Sequence, residues 1–297
     1  MNILVVGHSV VDKIIEEESI STRPGGIFYS IVSLLSQKSS KDKLFLCSSL
    51  DSENEKLFKE VYNQIEKDFI EIVDSIPTVE LVVNKTRERN ETYSKIIRNL
   101  QLPSRELDKF DGILINMISG YDISIEQLKK LRKNFNELIY FDVHTLSRGV
   151  DENMNRVFRK IKNFREWAEY VDILQANDSE LLTLSDNTSK RDILEELFTY
   201  GIKHIIITEA EKGSTVFYKE NNSVKNFNKD AIKVNVKNKI GCGDIFGAVY
   251  FYNYIKNKNV NLALEQANLF AGIATTLTST EEFLNLKRYA NEWISKK

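Results

Sequence analysis

Two glycines and a carboxylate stand together in the phrase Gly241-Cys242-Gly243-Asp244. Alternate glycines let the backbone turn tightly and approach a ligand without a Cβ in the way. The first-turn amides of a helix that begins here would lack intrahelical acceptors and, with the helix dipole, form a site for an anion. A carboxylate such as Asp244 would compete with a phosphate for the anion site if it acted only as a ligand there. As a base, it can instead accept the proton of a hydroxyl that attacks the phosphate. The phrase therefore indicates phosphoryl transfer; a helix cap after a plain turn is the alternative that it leaves open.

The flanking residues predict the elements that hold this loop. Residues 232–236 alternate between apolar and polar side chains, which is typical of a strand with one buried face. Residues 245–254 carry apolar side chains at helical spacing, which predicts a helix directly after the loop. A second glycine pair, Gly25-Gly26, precedes an apolar helix predicted over residues 27–35 and repeats the close backbone approach, with a flexible turn as the alternative.

The rest of the chain alternates between strand-like and helix-like segments. Apolar runs predict strands at residues 3–6, 44–49, 69–73, 112–116, 138–143, 171–174 and 204–208. Helical periodicity predicts helices at residues 54–68, 124–134 and 262–277. Residues 79–83 and 93–97 read as a hairpin around the polar turn 85–91. We therefore predict one α/β domain over residues 1–297, with a mostly parallel central sheet flanked by helices and the hairpin as an insertion.

Composition narrows the class of protein. The chain has 297 residues, of which 42% are hydrophobic and 28% charged, so it can bury a large core. The net charge of −2 gives no electrostatic footprint for nucleic acid or an anionic membrane, and neither partner is expected. The apolar run at residues 3–6 is too short for a signal peptide or a membrane span. Cys47 and Cys242 imply no disulfide framework, which suits a cytoplasmic protein.

The loop is part of a longer phrase that resembles a family signature. Residues 239–246, Lys-Ile-Gly-Cys-Gly-Asp-Ile-Phe, resemble the Asp-Thr-Thr-Gly-Ala-Gly-Asp-Ala-Phe signature of the PfkB (ribokinase-like) carbohydrate kinases. Further phrases of this family occur in the same order: Gly25-Gly26, Asn177-x-x-Glu180 and Thr208-x-x-x-x-Gly213. The resemblance covers nearly the whole chain. It implies a ribokinase-like fold with a small β lid, inserted at about residues 13–24 and 78–100, over the sugar.

The chain departs from the family pattern at several positions. Asn-Lys-Ile at residues 238–240 replaces the Asp-Thr-Thr that holds nearby cation contacts in this family, so the need for a monovalent cation is left open. Ser30 replaces a sugar-contacting Asn, His144 another frequent Asn, and Ala210 the first Gly of a nucleotide-contacting turn. The departures at residues 238–240, Ser30 and Ala210 keep a second hypothesis open, a ribokinase-like sensor that binds a sugar or nucleotide without turnover.

The resemblance implies a role for each matching residue. It implies Asp244 as the catalytic base, with Gly241, Cys242 and Gly243 forming the anion hole. The acceptor is expected at Asp12, Gly25, Gly26, Ser30 and His144, with Thr92 and Tyr93 of the lid facing it, and ATP at Asn177, Thr208, Gly213, Asn268 and Gly272. Mg²⁺ prefers oxygen ligands and retains waters, so Glu180 is expected to act on it beside the phosphates. Asn177 and Glu180 fit a helix capping box equally well, and both roles stay open here.

The sequence thus predicts an ATP-dependent kinase that transfers the γ-phosphoryl group to a hydroxyl of a sugar, polyol or nucleoside. No basic cluster is evident near the expected acceptor site, which favours an unphosphorylated acceptor. A dinucleotide-dependent oxidoreductase is disfavoured, because Gly7 is not followed by the rest of a Gly-x-Gly-x-x-Gly phrase. The oligomeric state is open, since a homodimer through the lid and a monomer both fit.

Overall fold

The structure, a computed structural model, describes residues 1–16, 19–82, 90–95, 98–221 and 223–296. Its strands are β1 (Asn2–Val6), β2 (Ser9–Glu16), β3 (Ser19–Gly26), β4 (Lys43–Leu50), β5 (Glu66–Ile72), β6 (Thr78–Val82), β7 (Asn90–Tyr93), β8 (Gly112–Asn116), β9 (Leu138–Asp142), β10 (Arg148–Val150), β11 (Arg156–Phe158), β12 (Ile173–Asn177), β13 (His204–Thr208), β14 (Ser214–Glu220) and β15 (Ser223–Lys229). Its helices are α1 (Phe28–Gln37), α2 (Glu55–Tyr62), α3 (Ile125–Lys133), α4 (Arg165–Ala168), α5 (Asp178–Leu181), α6 (Lys190–Thr199), α7 (Cys242–Asn257), α8 (Val260–Ala274), α9 (Thr280–Leu284) and α10 (Leu286–Ser295).

One large sheet forms the centre of the molecule. Its strand order is β15-β14-β13-β12-β9-β8-β1-β4-β5. The pairings from β13 through β5 are parallel, and β14 and β15 add an antiparallel edge. In a parallel sheet the carboxyl ends of the strands meet at one edge, where ligands bind in open α/β folds. The mostly parallel α/β sheet predicted from the sequence is confirmed.

Helices cover both faces of this sheet, because its buried strands send side chains alternately to two cores. Along β1, Ile3 and Val5 join a core that includes residues of α1, α7 and α8. Leu4 and Val6 join the opposite core, which includes residues of α3, α4 and α6. This double burial explains why the central strands read as continuous apolar runs. Among the described residues, no helix has both the length and the apolar character that a membrane crossing requires.

A smaller sheet has the strand order β3-β2-β6-β7. β2 and β3 form an antiparallel hairpin, β6 lies parallel to β2, and β7 runs antiparallel to β6. The first hairpin begins at Ser9, ahead of the expected lid segment 13–24. The expected turn 85–91 falls largely on residues 83–89, which lie outside the described residues, as do residues 96 and 97 of the expected second strand. Coverage of a substrate by this sheet stays a prediction.

The strand predicted at residues 232–236 is wrong. This segment is irregular in the structure and pairs with no described strand. Ile232 and Val234 are partly buried against the core, so the alternation of side chains is real. The backbone amides just beyond it, at Lys237 and Asn238, donate instead to the carbonyl of Thr275 behind α8. Alternating burial therefore reflects packing against a helix rather than a place in a sheet.

The helix predicted at residues 54–68 is wrong in its second half. α2 ends at Tyr62, and β5 begins at Glu66 and pairs with β4. The buried side chains Phe58, Val61 and Tyr62 complete one helical face. Beyond Asn63 the chain pairs with a neighbouring strand that is far away in sequence, and this pairing overrides the local helical pattern.

Candidate active site

The glycine loop opens directly into α7. Gly241 precedes the helix with a φ of 74°, in the left-handed region that favours glycine. A Cβ built on Gly241 would lie 2.3 Å from Cγ of Tyr29, so the ring of Tyr29 also requires glycine here. The helix starts at Cys242, ahead of residue 245 where the sequence predicted it. Cys242, Gly243 and Asp244 thus belong to the first turn, where amides point outward along the positive end of the helix dipole.

A residue of the central sheet holds the side chain of Asp244 in place. Nδ2 of Asn116 donates a hydrogen bond of 2.7 Å to Oδ1 of Asp244. Asn116 ends β8 and is 1% exposed, so its amide is fixed by packing. Ser30, which was expected to contact the acceptor, donates its hydroxyl to the backbone carbonyl of Asp244 at 3.5 Å. Sequence reasoning missed Asn116; the available signal was a polar residue at the carboxyl end of an apolar parallel strand.

A second connection to the loop runs through Gln175 of β12. Its Nε2 donates to Oδ2 of Asp142 at 2.9 Å and to the carbonyl of Gly243 at 3.2 Å. Burial raises the pKa of Asp142 well above its usual range. His144 opposes this shift, whereas the Glu180 and Asp244 carboxylates strengthen it. Asp142 is therefore favoured in its neutral form beside the ionisable Asp244, which reduces the negative charge of the site.

His144 lies among these carboxylates. Its Nδ1 is 3.9 Å from Oε1 of Glu180, and its backbone amide donates to Oδ1 of Asp142 at 3.1 Å. Burial alone would lower the pKa of His144, but solvent reaches 27% of the side chain. The nearby Glu180 carboxylate and the charges of Asp244 and Asp142 raise its pKa overall. His144 can thus supply positive charge beside an incoming anion.

Asn177 and Glu180 form the capping box that their spacing allowed. Oδ1 of Asn177 accepts from the Glu180 amide at 2.8 Å, and Oε2 of Glu180 accepts from the Asn177 amide at 2.9 Å. Oε1 of Glu180 faces the other way, toward His144 and Arg148, each 3.9 Å away. Within the described ranges, no group of three or more His, Cys, Asp and Glu residues could hold a metal ion by itself. One carboxylate oxygen fits a magnesium ion that keeps most of its waters, as Mg²⁺ commonly does beside phosphates.

The expected donor-binding turn follows β13. Thr208 ends this strand, and Gly213 has a φ of 98° with Lys229 O only 2.0 Å from where a Cβ would lie. Ala210, which stands where the family pattern has a glycine, also has a positive φ of 50°, in the left-handed region that favours glycine. Nearby, Nζ of Lys190 lies 3.1 Å from Oδ1 of Asp178 and 3.0 Å from Oε1 of Glu209. Sequence reasoning did not single out this lysine.

Asn268 and Gly272 of α8 are engaged with the protein itself. Nδ2 of Asn268 donates to Oγ of Ser214 at 2.6 Å and to the carbonyl of Leu264 at 3.0 Å, and the residue is 7% exposed. A Cβ built on Gly272 would lie 2.3 Å from Cγ1 of Ile232. The irregular segment 232–236 thus covers the glycine that was expected to border the adenine of ATP.

The expected acceptor residues Asp12 and Gly25 meet in the β2–β3 hairpin. A Cβ on Gly25 would lie 2.2 Å from the carboxylate of Asp12, so glycine makes room for this side chain. The hydroxyl of Tyr29 donates to Oδ2 of Asp12 at 3.4 Å, and the ring of Tyr29 lies against Gly241. Gly26 has a φ of 63° at the end of the hairpin. One aromatic side chain thus joins the hairpin to the Gly241–Asp244 loop.

Two arginines lie beside the lid residues that were expected to face the acceptor, although no basic cluster was evident there in the sequence. Arg148 and Arg156 both face Glu91 of β7, at 3.7 Å and 3.5 Å. The guanidinium of Arg156 stacks 3.9 Å above the ring of Tyr93. Thr92, expected to face the acceptor, donates its hydroxyl to Oδ1 of Asn155 at 2.8 Å. The arginines come from the β10–β11 hairpin, and only the fold brings them to β7.

A family model and a curated relative each match a large part of this sequence. The family model described as pfkB family carbohydrate kinase matches residues 131–286. The 2-dehydro-3-deoxygluconokinase of Haemophilus influenzae is 25% identical over 191 residues, which cover 61% of this chain and 56% of that protein. The chain therefore spans just over half the length of this curated relative.

Solved structures show the same architecture. The Arabidopsis thaliana ribokinase complexed with ribose and ATP superposes with a TM-score of 0.74 at 15% identity, covering 98% of this chain and 97% of that one. A pyrophosphate-dependent kinase in the ribokinase family, complexed with a pyrophosphate analog and myo-inositol, superposes with a TM-score of 0.72 at 16% identity, covering 93% and 95%. At these identities the likeness concerns the fold, and the predicted ribokinase-like fold is confirmed.

Proposed function

Because the chain belongs to the pfkB family of carbohydrate kinases, we propose that it transfers the γ-phosphoryl group of ATP to a hydroxyl of a sugar, polyol or nucleoside. The observation that carries this proposal is Asp244 in the first turn of α7, held by Asn116 at 2.7 Å. A carboxylate fixed beside first-turn amides can serve a hydroxyl and a phosphate at the same time.

In the proposed reaction, Asp244 accepts the proton of the attacking hydroxyl as the new O–P bond forms and the bond to the leaving phosphate oxygen breaks. The amides of Gly241, Cys242 and Gly243 stabilise the charge on the transferred group. Phosphoryl transfer depends mainly on such positioning and electrostatics. Mg²⁺, when bound, neutralises phosphate charge, and Oε1 of Glu180 would hold one of its waters.

The neighbouring charges support phosphate binding in the same site. Three carboxylates so close together would repel an anionic donor, but the raised pKa of Asp142 favours its neutral form. The raised pKa of His144 favours its cation. We further propose that the small sheet, which carries Asp12 at its inner strand, covers the acceptor as a lid and keeps water away from the transferred group.

A second donor, pyrophosphate, is favoured by one specific observation. The side-chain amide of Asn268 is used within the protein, and Ile232 covers Gly272. A phosphoryl donor without an adenine ring requires neither Asn268 nor Gly272. The pyrophosphate-dependent kinase among the structural neighbours, 16% identical, has the same fold. Pyrophosphate would use the same Gly241–Asp244 loop and the same catalytic base, Asp244. Its leaving product would be inorganic phosphate instead of ADP.

The test measures ADP release from Mg·ATP, and phosphate release from Mg·pyrophosphate, across pentoses, hexoses, polyols and nucleosides. Asp244→Asn should abolish release from either donor and leave donor binding intact, because the amide keeps the shape of the carboxylate but not its basicity. Asp186→Asn, at a carboxylate whose side chain is 99% exposed, is the matched control and should behave like wild type. Unchanged turnover in Asp244→Asn would refute the base. If ligands bind but neither donor releases product with any acceptor, the result would instead favour a sensor that binds without turnover.

A further inference from the structure

Arg148 is a buried cation that two buried carboxylates from different parts of the fold share. Its Nη1 lies 3.7 Å from Oε2 of Glu91 in β7, and its Nη2 lies 3.9 Å from Oε1 of Glu180 in α5. The side chains of all three residues are no more than 12% exposed. A charge-assisted hydrogen bond is about 2.7–2.9 Å long, so neither of these two contacts has reached its full strength. The guanidinium thus stands between the two carboxylates at nearly equal distances.

The two carboxylates belong to the two halves of the proposed site. Glu91 lies in the small sheet, where β7 is the outer strand beside β6. Glu180 lies in the capping box after β12, at the edge of the central sheet where Mg²⁺ and the donor are proposed to bind. Arg148 is therefore an ionic link between the proposed lid and the proposed donor side.

The backbone around Arg148 makes the same connection. Arg148 begins β10, which forms an antiparallel hairpin with β11. The turn of this hairpin is bonded to β7: the Tyr93 amide donates to the carbonyl of Met154 at 3.1 Å, and the Thr92 hydroxyl donates to Oδ1 of Asn155 at 2.8 Å. A shift of Arg148 therefore reaches the small sheet through the hairpin as well as through Glu91.

We infer that Arg148 is a positioning residue that couples donor binding at Glu180 to closure of the small sheet at Glu91. This inference rests on the proposed kinase function and its lid. Once Oε1 of Glu180 accepts a hydrogen bond from a water of donor-bound Mg²⁺, it attracts Arg148 less strongly, and the guanidinium moves toward Glu91. The small sheet is then held more tightly over the acceptor. By linkage, the closed sheet favours the donor by the same factor.

Hydrogen exchange of the full chain, followed by mass spectrometry without any acceptor, tests this coupling. The probes are Mg·ADP and Mg·pyrophosphate, with Mg²⁺ alone as the reference, and a rise in melting temperature reports which probe binds. In the wild type, the probe that binds should slow exchange at residues 90–93 and 148–158 by about tenfold, as expected when a charge-assisted contact tightens. A bound probe that leaves exchange in both segments unchanged would overturn the inference, and so would a wild type that binds neither probe.

Variants separate the coupling from folding. Arg148→Gln and Glu91→Gln each remove one charge of the link, so a probe should still raise the melting temperature but no longer slow exchange at residues 90–93. Either variant is sufficient if the other does not fold. Arg148→Lys keeps the charge without the planar fork and should retain part of the response.

Lys13→Gln is the matched control, because it breaks an exposed ion pair of the same small sheet, with Lys13 Nζ 2.8 Å from Oε1 of Glu80. It should keep the full response. A purely structural Arg148 would speed exchange equally with and without the probe, and the ratio of the two rates would stay at its wild-type value. An undiminished ratio in Arg148→Gln or Glu91→Gln would therefore overturn the inference.

This readout needs no turnover and so fails independently of the kinase proposal. A response that Arg148→Gln abolishes, in a protein that releases neither ADP nor phosphate with any acceptor, would refute the kinase and keep the coupling. Turnover by a protein in which no probe changes exchange at residues 90–93 would keep the kinase and refute the coupling.

Discussion

The side-chain amide of Asn116 donates a 2.7 Å hydrogen bond to Oδ1 of Asp244 across 128 residues of sequence. It ties the carboxyl end of β8 to the first turn of α7. A hydrogen bond donated to a carboxylate favours its ionised form and fixes its direction. Asn116 is therefore a positioning residue for the proposed base.

Replacing Asn116 with alanine should lower kcat by about tenfold, the order expected when a charge-assisted hydrogen bond is lost. The acid limb of the pH–rate profile should also move to higher pH, since the ionised carboxylate loses a donor. Asn134→Ala, at the end of α3, where the same amide donates to a local carbonyl, should leave the profile unchanged. A lower melting temperature with an unmoved pH profile would mean that Asn116 is only structural.

Gly241 and Gly243 should respond in opposite ways to alanine. Gly241→Ala should cost at least about 2 kcal/mol of stability, because alanine is strained at positive φ and would meet the ring of Tyr29. Gly243→Ala should be neutral or stabilise by about 0.5 kcal/mol, since its Cβ would have no neighbour closer than Nε2 of Gln175 at 3.9 Å. Denaturant unfolding measures both changes. Equal losses in the two variants would contradict the packing described here.

Two substitutions separate the capping role of Glu180 from its proposed role beside Mg²⁺. Glu180→Gln keeps a side chain that completes a capping box but removes the charge. If the carboxylate acts on Mg²⁺, this variant should melt near the wild-type temperature while requiring about tenfold or more Mg²⁺ for half-maximal activity. Glu180→Ala should lose both activity and about 1 kcal/mol of stability. Wild-type magnesium dependence in Glu180→Gln would leave Glu180 with its capping role alone.

His204 should make the protein sensitive to mild acid. Burial lowers the pKa of His204 from 6.5 to about 4, and the charge of Lys203 acts in the same direction. The unfolded chain therefore binds a proton in a range where the folded chain does not, and stability falls as pH drops from about 6.5 to about 4. The loss is on the order of 3 kcal/mol. His204→Gln, which can still pair with the Tyr250 hydroxyl, should flatten this part of the curve; an unchanged slope would assign the loss to other groups.

Much of the fold was predictable because the central strands are buried on both faces and therefore read as apolar runs, as at Gly112–Asn116 and His204–Thr208. The hairpin of β2 and β3 was not predicted as such. Polar residues interrupt both strands, and their register depends on pairing with each other and with β6. The alternation at residues 232–236 reports which side chains are buried but not what buries them.

The candidate site was also predictable only where its residues are close together in sequence. Local phrases placed Asp244 at a helix start and paired Asn177 with Glu180, because these relationships span a few residues. Asn116, Gln175 and Arg156 were missed, since each meets its partners only through the fold. The basic cluster in particular is invisible in the sequence, where its two arginines are separated by an ordinary hairpin.

Tyr29 matters for any redesign of the proposed acceptor site. Its ring lies under Gly241 and its hydroxyl reaches Asp12, so one residue serves both halves of the site. Grafting the β2–β3 hairpin of a relative to change the preferred acceptor would shift this ring and with it the loop that carries the proposed base. For the proposed kinase, acceptor choice and catalytic rate are therefore coupled, and libraries should vary the hairpin and residue 29 together while they keep Gly241.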